Sequence, residues 1–234
     1  MFSGDSMKEE GIVMISPRLC GIDEAGRGPL AGPVCAAAVV LPEDFPVEVL
    51  NDSKKMSEKQ REYARALICE QALAWSIGWA SPAEIDRINI LQASLLAMER
   101  AFQGIRVSLD LVVVDGTFCP PLPVPCRAVV KADSRVPAVM AASILAKTAR
   151  DRMMMRYGWL YPEYGYEQHK GYPTALHLER IRQYGPSPIQ RMSFMREKLV
   201  EGSHKATGPR KNVIPSEGPA EPELLFYESS AVQN

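Results

Sequence analysis

The sequence predicts an α/β protein with a mixed central sheet flanked by helices and a helical C-terminal portion. Three observations predict this class. Short apolar runs typical of strands lie in the first part of the chain, amphipathic helical patterns separate several of them, and helical patterns alone follow residue 137. With 234 residues, 46% of them hydrophobic, the chain can bury a substantial core without disulfide bonds.

The predicted strands are short runs rich in apolar and β-branched residues. The first two flank a glycine-rich loop, and Pro42 closes the second. The last two each end in an acid, and the apolar run before Asp115 is typical of a buried central strand. We predict strands over residues 18–23, 34–42, 72–80, 109–116 and 126–133.

The predicted helices carry start signals and apolar residues at a spacing near 3.6. Ser57 precedes one helix and Ser81 precedes the next, as expected of N-terminal caps. The second helix is expected to face the core with Ile85, Ile88, Leu91, Leu95 and Met98. We predict helices over residues 57–73, 82–103, 137–155, 174–184 and 188–199.

One ordered domain is expected between two irregular ends. Residues 1–17 are mixed in character, and after residue 200 the chain has too few apolar residues to offset its conformational entropy. We expect a mobile extension over residues 1–17, a folded domain over 18–200 that is helical from about residue 157, and a disordered tail over 201–234.

Composition narrows the possible partners and the compartment. The net charge is −1, so a nucleic-acid partner needs a local basic face. Five cysteines at irregular spacing lack the pattern of a zinc site or of a disulfide-rich scaffold. No apolar run approaches the ~20 residues of a membrane span. We expect a cytoplasmic monomer outside membranes, with no bridge between Cys119 and Cys126.

Acids end three of the predicted strands: Asp23, Glu24, Asp115 and Asp133. Ligand sites of open α/β sheets lie at strand ends, so these acids are expected to converge. Converging carboxylates repel one another unless a cation neutralises them, and oxygen ligands favour Mg²⁺ or Mn²⁺ over zinc. Asp115 and Asp133 taken singly are equally consistent with turn or capping residues. Two adjacent acids at the end of a strand have no such structural explanation, although sharing one metal requires a bulge or the strand's end there.

Gly26, Arg27 and Gly28 follow the first acids directly. Their pattern precedes a strand instead of opening a helix, which disfavours a dinucleotide site, and the phosphate loop of nucleotide hydrolases is missing from the sequence. Glycines allow main-chain N–H and C=O groups to approach a ligand that bears hydroxyls and phosphates. A ribose 2′-OH is such a group, and it distinguishes RNA from DNA.

Six segments taken in order are informative together: GIDEAGRGPLAGPV (21–34), NDSKKMSEKQRE (51–62), INILQASLLAM (88–98), VVVDG (112–116), DSRVPAVMAASILAKTARD (133–151) and YGYEQHKGYPTALH (164–177). They resemble the bacterial ribonuclease HII family, the type 2 ribonucleases H. The resemblance covers roughly residues 18–195 without large gaps.

The resemblance implies a ribonuclease H-like fold with a helical C-terminal segment. It also implies an endonuclease that cuts the RNA strand of RNA–DNA hybrids, and DNA at single embedded ribonucleotides, leaving 3′-hydroxyl and 5′-phosphate ends. In such a protein the metal-binding and catalytic carboxylates are Asp23, Glu24, Asp115 and Asp133. The loop formed by Gly26, Arg27 and Gly28 reads the 2′-OH, and Tyr172 stacks on the sugar beyond the junction, where it favours DNA.

Such a carboxylate set suits hydrolysis with two Mg²⁺ or Mn²⁺ ions about 4 Å apart. Lys54, Ser143 and Lys147 are weaker candidates for phosphate contacts. Lys147 and Arg150 are equally consistent with a solvated helix edge, and Ser143 with a helix residue bonded to its own backbone.

Three positions depart from the usual family pattern. Ala132 replaces a glycine before the fourth acid, Met140 stands where a small residue is usual, and Gln190 begins QRMSF where HRRSF is common. Two rival functions stay open: a catalytically inactive nucleic-acid-binding relative, and a nuclease of the same fold that acts on DNA alone. No clear motif in the sequence supports contact with a sliding clamp.

Overall fold

The computed structural model describes residues 18–195. Its strands are β1 (Leu19–Ala25), β2 (Val34–Val40), β3 (Ala74–Ala80), β4 (Leu111–Asp115) and β5 (Cys126–Val129). Its helices are α1 (Glu58–Gln71), α2 (Pro82–Gln103), α3 (Pro137–Leu160), α4 (Tyr166–His169) and α5 (Ala175–Tyr184), and a further helical turn occupies residues 192–195. The predictions for residues 1–17 and 196–234 lie outside the described residues.

The five strands form one mixed sheet in the order β3-β2-β1-β4-β5. The pairs β1–β2 and β2–β3 are antiparallel, whereas β1–β4 and β4–β5 are parallel. Helix α2 packs on one face through a core that includes Ile85, Ala93 and Ala97, and α1 and α3 pack on the other through Ile68 and Ile144. The predicted fold class, a mixed sheet flanked by helices, is therefore confirmed.

Both predicted serine caps are confirmed. Ser57 and Ser81 each accept a hydrogen bond from the backbone three residues on, and the side chains of Gln60 and Glu84 return the bond to complete a capping box. Within residues 18–195 no helix has the length and apolar character needed to cross a bilayer. All five cysteines are free thiols.

The prediction of one continuous helix over 82–103 was wrong at Asn89. Asn89 has a φ of +68° and breaks the helix, and its Oδ1 accepts the backbone N–H of Gln92 at 3.1 Å as a new N-cap would. After the break the buried residues are Ala93, Ser94, Ala97, Met98 and Ala101. Of the residues predicted to face the core, Ile85 and Met98 are buried in it, Ile88 and Leu95 pack against it, and Leu91 is only partly buried.

Two strand ends also differ from the prediction. Strand β1 continues to Ala25 because its antiparallel pairing with β2 extends through Ala25↔Cys35, so Asp23 and Glu24 lie inside the strand. Strand β5 lies at the sheet's edge and ends at Val129, and Lys131 then adopts a left-handed conformation. Asp133 therefore lies in a short 3-10 helix, Ala132–Ser134, and not at a strand end.

Candidate active site

Three carboxylates from separate parts of the chain meet beside the sheet. Asp23, Asp115 and Asp133 each offer an oxygen, and these oxygens lie within 4.8 Å of one another. Ile22 pairs with Val114 on the neighbouring parallel strand, which places the next residues of both strands, Asp23 and Asp115, side by side. Asp133 joins them from the 3-10 helix that precedes α3.

Main-chain contacts fix these acids in place. Asp23 Oδ1 accepts the N–H of Glu24 at 2.7 Å, and Asp115 Oδ1 accepts the N–H of Ala132 at 2.8 Å. The second bond ties the end of β4 to the turn that carries Asp133. Gly21 lets α3 approach β1, because a Cβ there would lie 2.2 Å from the carbonyl carbon of Ala138.

The electrostatics of the three acids favour a bound cation. Burial, followed by the charges of Glu24 and Asp115, raises the pKa of Asp23 well above its usual value. Burial and the charge of Asp115 also raise the pKa of Asp133. Ionised carboxylates at this separation are stable together only when a cation offsets their repulsion, and oxygen donors suit Mg²⁺ or Mn²⁺. The residues therefore fit a divalent metal site.

Glu24 lies beside this group and not within it. Its carboxylate is outside the group of three oxygens, yet it lines the same cleft as Asp23. Glu24 Oε1 lies 3.3 Å from the Arg27 guanidinium, while Oε2 is buried without a partner among residues 18–195. Burial raises the pKa of Glu24, the charge of Arg27 lowers it, and the charge of Asp115 raises it further. Such a buried oxygen is available to bind a cation.

The glycine loop after β1 is shaped by a buried arginine. Gly26 has a φ of +96°, and a Cβ there would lie 1.9 Å from Nε of Arg150. Gly28 lies against Tyr172, because a Cβ on Gly28 would be 3.6 Å from the Tyr172 ring. The loop and Tyr172 thus form adjacent parts of one surface.

A cleft of about 540 Å³ joins Asp23 and Glu24 to this surface. All seven residues predicted to bind substrate line it together with Asp23 and Glu24: Gly26, Arg27, Gly28, Lys54, Ser143, Lys147 and Tyr172. A second cleft of about 590 Å³ meets the first at Gly28. The acid that lines the second cleft, Asp86, accepts hydrogen bonds from the N–H groups of residues 192 and 193. The carboxylates that could bind a metal therefore lie at the first cleft.

The weaker candidates differ in their surroundings. Lys54 is largely exposed, and its Nζ lies 4.0 Å from Asp133 Oδ2. Ser143 is buried and shares a 2.8 Å hydroxyl contact with Ser53. Lys147 donates to Asp151 at 2.6 Å. Only Lys54 presents an ammonium group that is mostly free in solvent.

Two buried arginines, Arg150 and Arg191, donate to backbone carbonyls of the loop between β1 and β2. Arg150, which is consistent in sequence with a solvated helix edge, is only 2% exposed, so that interpretation was wrong. It donates to the carbonyls of Pro33, Lys170 and Ala31. Arg191 is fully buried and was not predicted as a site residue. The sequence predicts a helix over 188–199, but Arg191 precedes the helical turn at 192–195, so helical periodicity gave no signal of its burial. Only its place in the QRMSF segment pointed to it.

The residues that depart from the family pattern are accommodated locally. Ala132 is buried in the 3-10 helix and donates its N–H to Asp115. Met140 packs against the core between the sheet and α1 and α3. Gln190 donates to the carbonyl of Leu30 at 2.8 Å. The turn before Asp133 therefore forms without a glycine at position 132.

Comparison with known proteins agrees with this geometry. The family model described as Ribonuclease HII matches residues 20–197. The chain is 57% identical over 197 residues to a ribonuclease HII of Treponema denticola, covering 77% of this chain and all of that protein. It is 53% identical over 176 residues to a ribonuclease HII of Dechloromonas aromatica, covering 75% and 90% of the two chains. The chain belongs to the ribonuclease HII family.

Membership in the ribonuclease HII family agrees with the solved structures as well. The crystal structure of ribonuclease H2 from Pyrococcus horikoshii superposes with a TM-score of 0.64 at 28% identity, covering 79% of this chain and 97% of that one. The ribonuclease H-like fold is thereby confirmed. As a member of the ribonuclease HII family, the chain is a ribonuclease H, a hydrolase that acts as an endoribonuclease on RNA–DNA hybrids, and it uses divalent metal.

Proposed function

We propose that this ribonuclease H also nicks duplex DNA on the 5′ side of an embedded ribonucleotide, leaving 3′-hydroxyl and 5′-phosphate ends. Its role would then be the removal of ribonucleotides from DNA. The proposal is carried by one cleft that Asp23 and Glu24 line together with the glycine loop and Tyr172, with Asp115 and Asp133 grouped around Asp23. A cluster of acids alone is found in many nucleases. Main-chain groups exposed beside the acids can in addition form hydrogen bonds with a ribose hydroxyl.

The proposed metal ligands are Asp23, Glu24, Asp115 and Asp133, holding two ions of Mg²⁺ or Mn²⁺ during catalysis. When bound, such a pair of ions lowers the pKa of a water and stabilises the leaving oxygen of an in-line displacement. Asp23, Asp115 and Asp133 already share one place. Glu24 supplies a buried oxygen that no residue of the described range 18–195 bonds.

Basic side chains in the cleft are proposed to contact the phosphates. Lys54 lines the cleft, and its ammonium lies next to Asp133. Lys147, on α3, lines the same cleft. Ser143, a buried hydroxyl near Asp23, would orient one phosphate oxygen or one carboxylate. Contacts of this kind position the strand and carry no sequence information, which suits an enzyme that acts wherever a ribonucleotide occurs.

The sugar is proposed to be read by the backbone of Gly26, Arg27 and Gly28 and by Tyr172. Main-chain N–H and C=O groups can bond a 2′-OH, and DNA has no such group. The Tyr172 ring, 45% exposed and next to Gly28, offers a face for the following deoxyribose. A 2′-OH on that sugar would crowd the ring, so a junction from RNA to DNA is favoured.

Three labelled substrates separate this function from its rivals: a DNA duplex with one ribonucleotide, the same duplex in DNA alone, and a continuous hybrid. We expect an Mg²⁺- or Mn²⁺-dependent nick 5′ of the ribonucleotide, and no cutting of the all-DNA duplex. Binding without cleavage would favour the inactive relative, and cleavage of the all-DNA duplex would favour the DNA nuclease.

A further inference from the structure

A buried guanidinium holds the glycine loop from behind. Arg191 is 0% exposed, and it donates to five backbone carbonyls of the loop between β1 and β2. The donor–acceptor distances are 2.6 Å to Gly26, 3.0 Å to Arg27, 2.8 Å to Pro29, 2.8 Å to Gly32 and 3.2 Å to Pro33. Arginine is the side chain that can supply so many donors from one plane.

The charge of Arg191 is buried without a carboxylate. Within residues 18–195 it takes part in no ion pair closer than 4.0 Å, although the charge of Asp86 acts on it, and the ring of Phe194 lies 5.3 Å from the guanidinium carbon. Burial lowers the pKa of Arg191 to about 9, and the nearby charge of Arg150 contributes. Burying an uncompensated charge is costly, so such a group is expected where its hydrogen bonds serve the function.

The hydrogen bonds of Arg191 determine the direction of two backbone N–H groups. In a trans peptide the N–H points opposite to the C=O of the same plane. Because the carbonyls of Gly26 and Arg27 point at the guanidinium, the N–H groups of Arg27 and Gly28 point away from it. Within residues 18–195 neither of these N–H groups donates to a protein acceptor. The same residues line the cleft beside Tyr172.

We infer that Arg191 is a positioning residue that fixes the peptide planes of residues 26–28 so that their N–H groups can bond a ribose hydroxyl. The inference rests on the proposed reading of the sugar by this loop and assigns the control of that reading to a side chain outside the cleft. Arg191 does not touch the substrate. It determines the preference for a ribonucleotide by keeping the donors aligned before the substrate binds.

The segment that carries Arg191 is itself anchored. The Asp86 carboxylate on α2 accepts the N–H groups of Met192 at 2.8 Å and Ser193 at 2.9 Å, and also the Ser193 hydroxyl. Removing this carboxylate would loosen the attachment of Arg191 at the surface while leaving its guanidinium in the chain. Asp86 therefore offers a second, milder way to disturb the same alignment.

The test measures binding in an Asp115→Asn background, which prevents turnover. Affinities are compared for two duplexes that differ only in one ribonucleotide, and the ratio of their Kd values reports the sugar preference. We expect Arg191→Lys to reduce this ratio by about fivefold or more, as expected for the loss of an aligned hydrogen bond. Asp86→Ala should reduce it by about twofold to threefold, since the guanidinium remains. Ile68→Ala, in the core under α1 and away from the loop, is the matched control for lost stability.

The outcomes separate a positioning role from a structural one. An Arg191→Lys variant that loses thermal stability like Ile68→Ala but keeps the full ratio would overturn the inference. If Arg191→Lys does not fold, an unchanged ratio in Asp86→Ala would overturn it. A parent protein that binds both duplexes equally would instead overturn the proposed reading of the sugar, and this inference with it.

Discussion

Asp23 on β1 and Asp115 on β4 are neighbours because the parallel register pairs Ile22 with Val114. Their meeting therefore depends on the backbone ladder and not on a flexible loop. Asp115 also accepts a hydrogen bond from the N–H of Ala132, and this bond holds the next residue, Asp133, close to Asp23 and Asp115. The backbone pairing of the sheet therefore positions the acid cluster.

The variant Asp23→Asn is expected to lower the cleavage rate by at least ~100-fold, because a neutral amide is a poor ligand for a divalent ion. In metal-free buffer its melting temperature should equal or exceed that of the parent protein. The reason is that burial and the neighbouring acids disfavour the ionised form of Asp23, as its raised pKa indicates. Rate assays and thermal unfolding check both outcomes. Asp44→Asn, at an exposed surface acid, is the control and should change neither; a near-normal rate in Asp23→Asn contradicts the assignment.

Lys54→Ala is expected to raise KM a few-fold at low salt and to leave kcat nearly unchanged. Its ammonium is mostly exposed, so its attraction to phosphate is screened by salt and the effect should shrink as ionic strength rises. Lys55→Ala is the matched control, because the adjacent Lys55 is also exposed but lies by Asp52 instead of by Asp133. Equal effects of both variants would show that position 54 has no specific role.

Tyr172→Ala is expected to raise KM roughly tenfold on a duplex with a single ribonucleotide, since a stacking aromatic contributes ~1–3 kcal/mol. Tyr172→Phe should retain the ring contact and most of the activity. The continuous hybrid should be affected less than the junction substrate, because the ring is proposed to favour a deoxyribose. Steady-state kinetics on both substrates measure this difference. A loss of the same size on both substrates would argue against a role in reading the junction.

His177 is expected to make stability depend on pH. It is fully buried, its Nδ1 lies 2.9 Å from the carbonyl of Tyr172, and its ring stacks on His169 at 4.4 Å. Burial lowers the pKa of His177 to about 4, whereas an unfolded histidine titrates near 6.5. The stabilising contribution is thus fully present above pH ~6.5 and is lost between pH ~6.5 and ~4, by roughly 3 kcal/mol.

Unfolding free energies measured across this pH range test the assignment. His177→Asn cannot titrate, so its stability should fall less steeply between pH 6.5 and pH 4, although its stability at pH 7 is lower. The slope that remains belongs to His169, whose pKa is also lowered by burial, and to the carboxylates. Identical slopes in the parent protein and the variant would contradict the prediction.

The parts of the fold that follow from local patterns were predictable. Ser57 and Ser81 predict the starts of α1 and α2 as N-cap residues, and the apolar run before Asp115 predicts a central strand. The break at Asn89 was not predicted, because apolar spacing continues through it and only one side chain supplies the new cap. The role of Arg191 was also hidden, since its partners are backbone carbonyls, which leave no mark in the sequence.

The candidate site divides in the same way. Residue types near strand ends predicted which acids converge, but the position of Asp133 depends on Lys131 turning left-handed after a short edge strand. Glu24 was predicted as a fourth ligand; its carboxylate lines the same cleft as Asp23 but lies outside the group of three oxygens, so its role as a ligand stays a prediction. Contacts that depend on distant packing cannot be read from nearest neighbours in sequence.

In the proposed mechanism, acids positioned by the sheet register hold divalent ions beside a surface that reads a ribose. The most direct test is the nicking rate of the parent protein and of Asp115→Asn on a duplex with one ribonucleotide, with Mg²⁺ or Mn²⁺ and with chelator. We predict a single nick that requires the ion and is lost in the variant, which should remain folded. Cleavage in the presence of chelator, or a near-normal rate for Asp115→Asn, would contradict the account.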